Sequence, residues 1–429
     1  MSAKGDTVLA KNNADRLDRL ERSWVLYDVG NSAFTMIACS LIPIWFKDLA
    51  RLGGTEAYEH ATSNFAYVTA IVTVIVAIIG PACGAITDNK GFKKPIFTTA
   101  LAIGLAGCIW LGLVRDWMMF LIVFIIAKVA YSCSLTFYDS MLTDVTTPER
   151  ADRVSSYGFA WGYIGSCLPF TVALVFYIAG EGMLGCFTVS RDTARLVGLI
   201  TTAVWWCLVT LPLLKNYKQK YYVEPEKGAV REAFARLGRT LVRIVKDEEK
   251  VFFFLLAFFF YIDGVNTIID NCINIGTDLE LDTVGQVVFL LATQVVAFAF
   301  SLVFSALSKK FKTVNLIYVC IAGYFAVCVY AFFLKSLWQF GIMAFGVGMF
   351  QGSIQALSRS YFSRIIPAEN SGEYFGLYDI FSKGAACLGS LVIGIVKDTT
   401  GSIQVAVGAM VIFFAAGFIF LRKADTVRE

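Results

Sequence analysis

Twelve apolar stretches, each close to the length of a membrane span, follow one another along the chain. They begin near Trp24, Thr62, Pro95, Trp117, Tyr157, Ala194, Val251, Val284, Val314, Leu337, Tyr374 and Ser402. About 20 apolar residues in helical form cross the roughly 30 Å of bilayer hydrocarbon. The runs are continuous rather than alternating with period two, which predicts helices and not a barrel. The expected fold class is all-α integral membrane, with twelve transmembrane helices arranged as two pseudo-symmetric six-helix bundles. The first 23 residues are polar, with no short apolar core before a small-residue cleavage site, so the first span is expected to remain in place.

The polar intervals set the organisation. The longest internal one, residues 215–250, falls between the sixth and seventh runs. This predicts an N-terminal segment (1–23), an N-terminal bundle (24–214), a linker (215–250), a C-terminal bundle (251–422) and a tail (423–429). Within the linker, Val230, Phe234, Leu237, Leu241, Ile244 and Val245 recur at helical spacing, while Arg231, Arg236, Arg239, Arg243 and Lys246 fill other positions. Such a helix lies on a membrane surface; a calmodulin-type target helix has the same pattern and is the rival reading.

The two halves repeat one another. "DSMLTDVTTPERADRVSSYGFAWGYIGS" follows the fourth run and "LSRSYFSRIIPAENSGEYFGLYDIFSKGAACLGS" closes the tenth and opens the eleventh. In each, a Pro (Pro148, Pro367) precedes the Gly of an aromatic-Gly pair (Gly158, Gly376). Basic loops follow the second and eighth runs, "DNKGFKK" and "SKKFK". This is the expectation for two bundles related by an axis along the membrane normal.

Composition agrees: 57% of residues are hydrophobic, 16% are charged and 37 are Phe, outside the soluble range. Lys and Arg concentrate in the loops on the side that holds both termini, which predicts both termini in the cytoplasm. The net charge of +4 is accounted for by these loops against lipid headgroups and implies no nucleic acid. The 11 Cys form no CxxC pair and read as small apolar core residues, Cys186 being the loop exception.

Against this background the polar residues inside the runs stand out, because a charge at the bilayer centre costs on the order of 3 kcal/mol. "YDVGNSAFT" in the first run and "YIDGVNTII" in the seventh both carry Asp-x-x-Asn: Asp28 with Asn31, and Asp263 with Asn266. At that spacing each pair shares a helix face, and Gly30 and Gly264 permit close backbone approach. Lys128 sits near the middle of the fourth run, and either lines a solute path or pairs with Asp28. Asp270 and Asn274 extend the stripe of the seventh run toward its outer end, where solvation is the plainer reading. Asp379 and Lys383 fit an ion pair on one face, structural or coupling. Gln351 and Gln355 share a face of the tenth run, and Trp161 and Tyr163 lie in the fifth, as ligand contacts or as packing.

"GAITDNKGFKK" is similar to the loop between the second and third helices of the major facilitator superfamily. "WVLYDVGNSAF", "YIDGVNTII", "QALSRSYFSRIIP" and "EYFGLYDIFSKG" together resemble its vacuole-effluxer-like branch, which holds bacterial permeases and a fungal vacuolar amino-acid exporter. The resemblance implies the major facilitator fold, with spans 1, 4, 7 and 10 lining a central cavity. Asp28, Asn31, Lys128, Asp263, Asn266 and Gln351 would then bind solute. Asp88 would cap or pair across the cytoplasmic face as a gate, with Gly84 and Gly91 allowing close helix contact, and Asp270, Asp379 and Lys383 would take part in coupling or gating. Asn89 and Phe92 replace the usual basic residues, which implies a weaker charge network there.

The expected function is secondary active transport of a small polar solute by alternating access. Both signs of charge in the cavity suit an amino acid, and buried Asp suits proton coupling, with sodium as the other ion. The alternatives are an uncoupled facilitator or exporter of another metabolite, and a receptor or scaffold on the same fold. There is no P-loop, and the only His, His60, falls in an outer loop, so neither ATP-driven pumping nor an enzyme is expected. No cofactor and no metal is expected, and the chain is read as a monomer in a cell (inner) membrane, or in a vacuolar-type membrane if eukaryotic.

Overall fold

The computed structural model describes residues 16–182, 187–224, 229–272, 275–276 and 279–427, with backbone only at 62, 229–236, 283–284, 287 and 383–387. The readings of Cys186 and Asn274, and of the Lys383 side chain, lie outside the described residues.

Helices dominate the described chain. The first half contains α1 (Arg19–Leu52), the short α2 (Thr55–Glu59), α3 (Ala61–Thr87), α4 (Lys93–Leu113), α5 (Trp117–Ser140), the short α6 (Leu142–Val145), α7 (Ala151–Gly180) and α8 (Arg191–Asn216). After α9 (Ala229–Lys246), the second half contains α10 (Glu249–Asp270), α11 (Thr283–Leu307), α12 (Thr313–Ala331), α13 (Leu337–Ile365), α14 (Ser371–Thr400), α15 (Ile403–Gly408) and α16 (Val411–Thr426). Among the described residues, eleven helices or helix pairs are long and apolar enough to span a membrane. With the 30-residue α14, which carries charged residues, they make the six-plus-six arrangement.

Each half has its own apolar core. One gathers Trp24, Phe34, Phe120, Tyr138 and Trp206, the other Phe254, Tyr261, Tyr324, Phe362 and Phe414. Helix starts are capped where the sequence supplies acceptors: Asp18 closes a capping box with Glu21 before α1, and Ser336 with Gln339 before α13. The halves meet through α3 against α14, α7 against α11 and α13, and α5 against α14.

Close packing of first and last helices depends on the glycines singled out by the repeat. A Cβ on Gly30 would come within 2.7 Å of Val209 and 2.9 Å of Trp206 on α8, and one on Gly264 within 2.8 Å of Phe414 on α16. Tyr27 shares a hydrogen bond with Ser134 at 2.7 Å and Tyr261 one with Ser358 at 2.6 Å. The same Tyr and Gly thus make the same kinds of contact in both copies.

The linker does more than span the halves. Val223 pairs with Asn89 as an isolated β-bridge, and Asp144 accepts the N–H groups of Lys220 and Tyr221 and the hydroxyl of Tyr217. The α9 helix predicted from periodicity is present and packs on α3 and α10, with Ile244 buried and Leu241 and Val245 exposed. We refer to this side of the molecule as the linker face.

Candidate functional site

Two polar centres occupy the contact between the halves. The first surrounds Arg359, near the linker-face end of α13. Its Nη2 donates to Asp28 Oδ2 of α1 at 3.0 Å, its Nη1 to Asp139 Oδ1 of α5 at 2.9 Å and its Nε to Ser155 Oγ of α7 at 2.9 Å. The guanidinium is boxed by rings, 4.6 Å from the centre of Trp24 and 4.4 Å from that of Phe159. A buried charge is tolerated when its hydrogen bonds are satisfied in this way. Gly158 makes the room, since a Cβ there would lie 2.3 Å from Asp28 Oδ2. Asn31 steadies Asp28 through Nδ2 to Oδ1 at 3.1 Å, so this Asp-x-x-Asn pair does share a face. Thr136 of α5 donates to Asp379 of α14 at 3.1 Å, a further polar tie between the halves.

Closer to the linker face the halves are tied twice more. Asp88 accepts the N–H groups of Gly372 (2.7 Å) and Glu373 (2.9 Å), the first turn of α14, where a carboxylate also meets the positive end of the helix dipole. Gly84 is indispensable to that contact, because a Cβ would lie 2.2 Å from the Gly372 carbonyl oxygen. Gly91 serves differently: its φ of +78° turns the chain, with no neighbour near its Cβ position. Lys93 is wholly buried between Asp88 (3.8 Å), Asp144 (3.6 Å) and Ser371 Oγ (2.9 Å), and it supplies positive charge beside the positions where Asn89 and Phe92 do not. On the pseudo-symmetric side, Asp152 at the start of α7 takes Ser360, Arg364 (2.6 Å) and Thr313 (2.5 Å) of the other half.

The second centre lies deeper. Lys128 stands over the rings of Tyr131 (5.0 Å) and Phe34 (5.9 Å), with Asp270 of α10 and Cys39 of α1 within electrostatic reach. Cys39 and Asp270 are exposed and Lys128 is half-buried, although α1 and α5 belong to the interior of their bundle. These residues therefore border an accessible space between the halves, on the side of Arg359 away from the linker face. Asn266, one turn before Asp270, is half-buried.

The remaining predicted residues are placed as follows. Asp263 is fully buried and accepts the N–H of Gly389 on α14 at 3.0 Å and the hydroxyl of Thr267 at 3.2 Å, with no ion pair among the described residues. It stands apart from Asp28: Tyr27 and Tyr261 are equivalent, but Asp28 is the next residue after one and Asp263 the second after the other. One residue is about 100° of helix rotation, which sends one carboxylate to the other half and the other into its own. Gln351 is buried on α13, its carbonyl accepting from Gln355. Trp161 packs edge-on to Phe298, and Tyr163 lies beside Phe159. Asp28 takes Arg359 as its ion-pair partner, where the sequence had offered Lys128. Arg359 and Asp139 were missed by sequence reasoning, although Arg359 falls four residues after Gln355 in a quoted segment.

The family model described as "Vacuole effluxer Atg22 like" matches residues 55–149 and 143–428. The MFS-type transporter YxiO of Bacillus subtilis is 37% identical over 95% of this chain and 95% of its own length. Autophagy-related protein 22 of Eremothecium gossypii is 24% identical over 92% of this chain and 88% of its own. Among solved structures, the major facilitator superfamily transporter FucP superposes with a TM-score of 0.71 at 15% identity, covering 95% of this chain and 98% of that one. The twelve-helix fold, the inter-half polar ties and these likenesses agree that the chain belongs to the vacuole effluxer Atg22-like family of major facilitator transporters.

Proposed function

We propose that this transporter moves a small zwitterionic solute, an amino acid in the first instance, by alternating access coupled to protons. The observation that carries the reading is the opposition of Lys128 and Asp270, contributed by different halves and bordering one accessible space. A bound solute with a carboxylate and an ammonium group would meet a partner of opposite sign in each half, so binding itself would favour closing the halves upon it. Asn31, Asn266 and Gln351 are the neutral candidates for the same path. Asp263, buried without an ion-pair partner among the described residues, is the group we assign to proton exchange. Arg359, Asp28, Asp139, Asp88 and Asp379 form the gate at the linker face, which we take to be cytoplasmic because the basic loops lie there. The family description, a vacuole effluxer, supports solute export from a membrane-bound compartment or a cell.

The test is uptake of a labelled amino-acid mixture into proteoliposomes, with and without an inward proton gradient, beside Asp263→Asn. Gradient-driven uptake is expected for the native chain and loss of the gradient response in the variant. Absence of flux for every amino acid would overturn the substrate, and gradient-driven uptake retained by Asp263→Asn would overturn the coupling role.

A further inference from the structure

A groove outside the solute path opens between α1 and α8 at the linker face, with a volume of about 770 Å³. Its rim carries Arg19, Arg22 and Lys215, and its wall is Leu26, Leu208, Leu211 and Pro212. We propose that it is a binding site for one anionic phospholipid, with the phosphate on the cations and an acyl chain along the leucines.

Three observations carry this. First, the charge is one-sided: the rim offers three cations, none with an ion-pair partner among the described residues, against the single carboxylate of Asp18. That carboxylate is already engaged, accepting the N–H of Glu21 at 2.7 Å as the cap of α1. Second, the rim is held in shape. Arg22 Nε donates to the Leu17 carbonyl at 2.9 Å, and Asn216 Nδ2 donates to Ser23 Oγ at 2.8 Å, tying α8 to α1 at the floor. Third, the wall is apolar and open: Leu208 is 58% and Leu211 50% exposed, on spans that are otherwise sides of a membrane bundle. Cations at the headgroup level above an exposed apolar wall match an amphipathic anion and no purely soluble one.

The test is thermal unfolding of the purified full chain titrated with phosphatidylglycerol, with phosphatidylcholine or with glycerol 3-phosphate, and lipid adducts counted by native mass spectrometry. Phosphatidylglycerol is expected to raise Tm and to leave one retained adduct; phosphatidylcholine and glycerol 3-phosphate are not. Arg22→Glu with Lys215→Glu should lose both the rise and the adduct, while Lys310→Glu, an exposed cation elsewhere on the same face, should keep them. An equal response to phosphatidylcholine or to glycerol 3-phosphate, or an unchanged adduct in the double variant, would overturn the proposal. So would a gain in lipid binding on removing residues 1–15, which would make that segment the native occupant.

Discussion

Arg359 and Asp28 lie 331 residues apart in sequence and 3.0 Å apart in space, one from each half. Because the same guanidinium also holds Asp139 and Ser155, a single side chain of the second half grips three helices of the first.

Removing that grip should open the linker face. Breaking a buried ion pair by deleting one partner costs about 3–5 kcal/mol, enough to shift a two-state equilibrium by more than about 100-fold. Arg359→Gln is therefore expected to lower the rate at which a membrane-impermeant maleimide labels Cys39, measured in a chain whose other cysteines are replaced. Labelling at the native rate would show that the pair does not hold this conformation.

Backbone proximity makes a sharper case at Gly84. An added methyl meets the backbone of Gly372, which cannot rotate away, so Gly84→Ala must part α3 from α14. We expect a Tm loss and slowed transport. Gly394→Ala, on α14 with open space around it, is expected to be neutral or to raise Tm, because Ala favours helix by about 1 kcal/mol over Gly.

The cap on α14 can be examined separately. Asp88→Ala removes the acceptor for two N–H groups and takes from Lys93 one of its two carboxylates, leaving Asp144. Loss of a helix cap alone costs about 1 kcal/mol. The variant should lose at least that much in denaturant unfolding, and more if the Lys93 charge is poorly compensated. Asp88→Asn keeps one acceptor oxygen and should fall between.

Lys128 and Asp270 should divide substrate recognition between them. Lys128→Gln is expected to raise KM about tenfold or more for a carboxylate-bearing solute. The corresponding amide or ester should be carried equally by variant and native chain. Asp270→Asn should show the converse selectivity for the amine. Uptake kinetics on matched substrate analogues decide it, and identical losses for all analogues would reduce both residues to structural roles.

Tyr27→Phe and Tyr261→Phe each delete one buried hydrogen bond to a serine. Each should cost about 1 kcal/mol. Since the pairs belong to separate cores, the double variant should show the sum in equilibrium unfolding.

Much of this architecture was legible in the chain itself. The spans follow from uninterrupted apolar runs and the six-plus-six division from the interval 215–250, while the close contact at Gly84 was implied by the family resemblance of the loop around Asp88. The site was legible only in part. Matching Asp-x-x-Asn in two helices reports spacing but not rotation about the axis, so Asp28 and Asp263 look equivalent on paper while facing different neighbours. Arg359 and Asp139 lie in the last turns of their spans, where a charge reads as the beginning of a loop. Only the inter-half packing shows that these turns are buried. The Lys93 contacts with Asp144 and Ser371 likewise join segments far apart in sequence, which no local pattern encodes.

The one-residue offset between Asp28 and Asp263 reaches beyond contacts. An axis along the membrane normal maps the linker face of each copy onto that of the other, so identical chemistry in both copies would place the same bond twice across one gate. Here the carboxylate of the first copy is spent on a bond between the copies, and that of the second on a bond inside its own. The shape remains twofold while the bonding across the halves does not. A single step of helical phase thus decides which copy supplies the acid that holds the halves together.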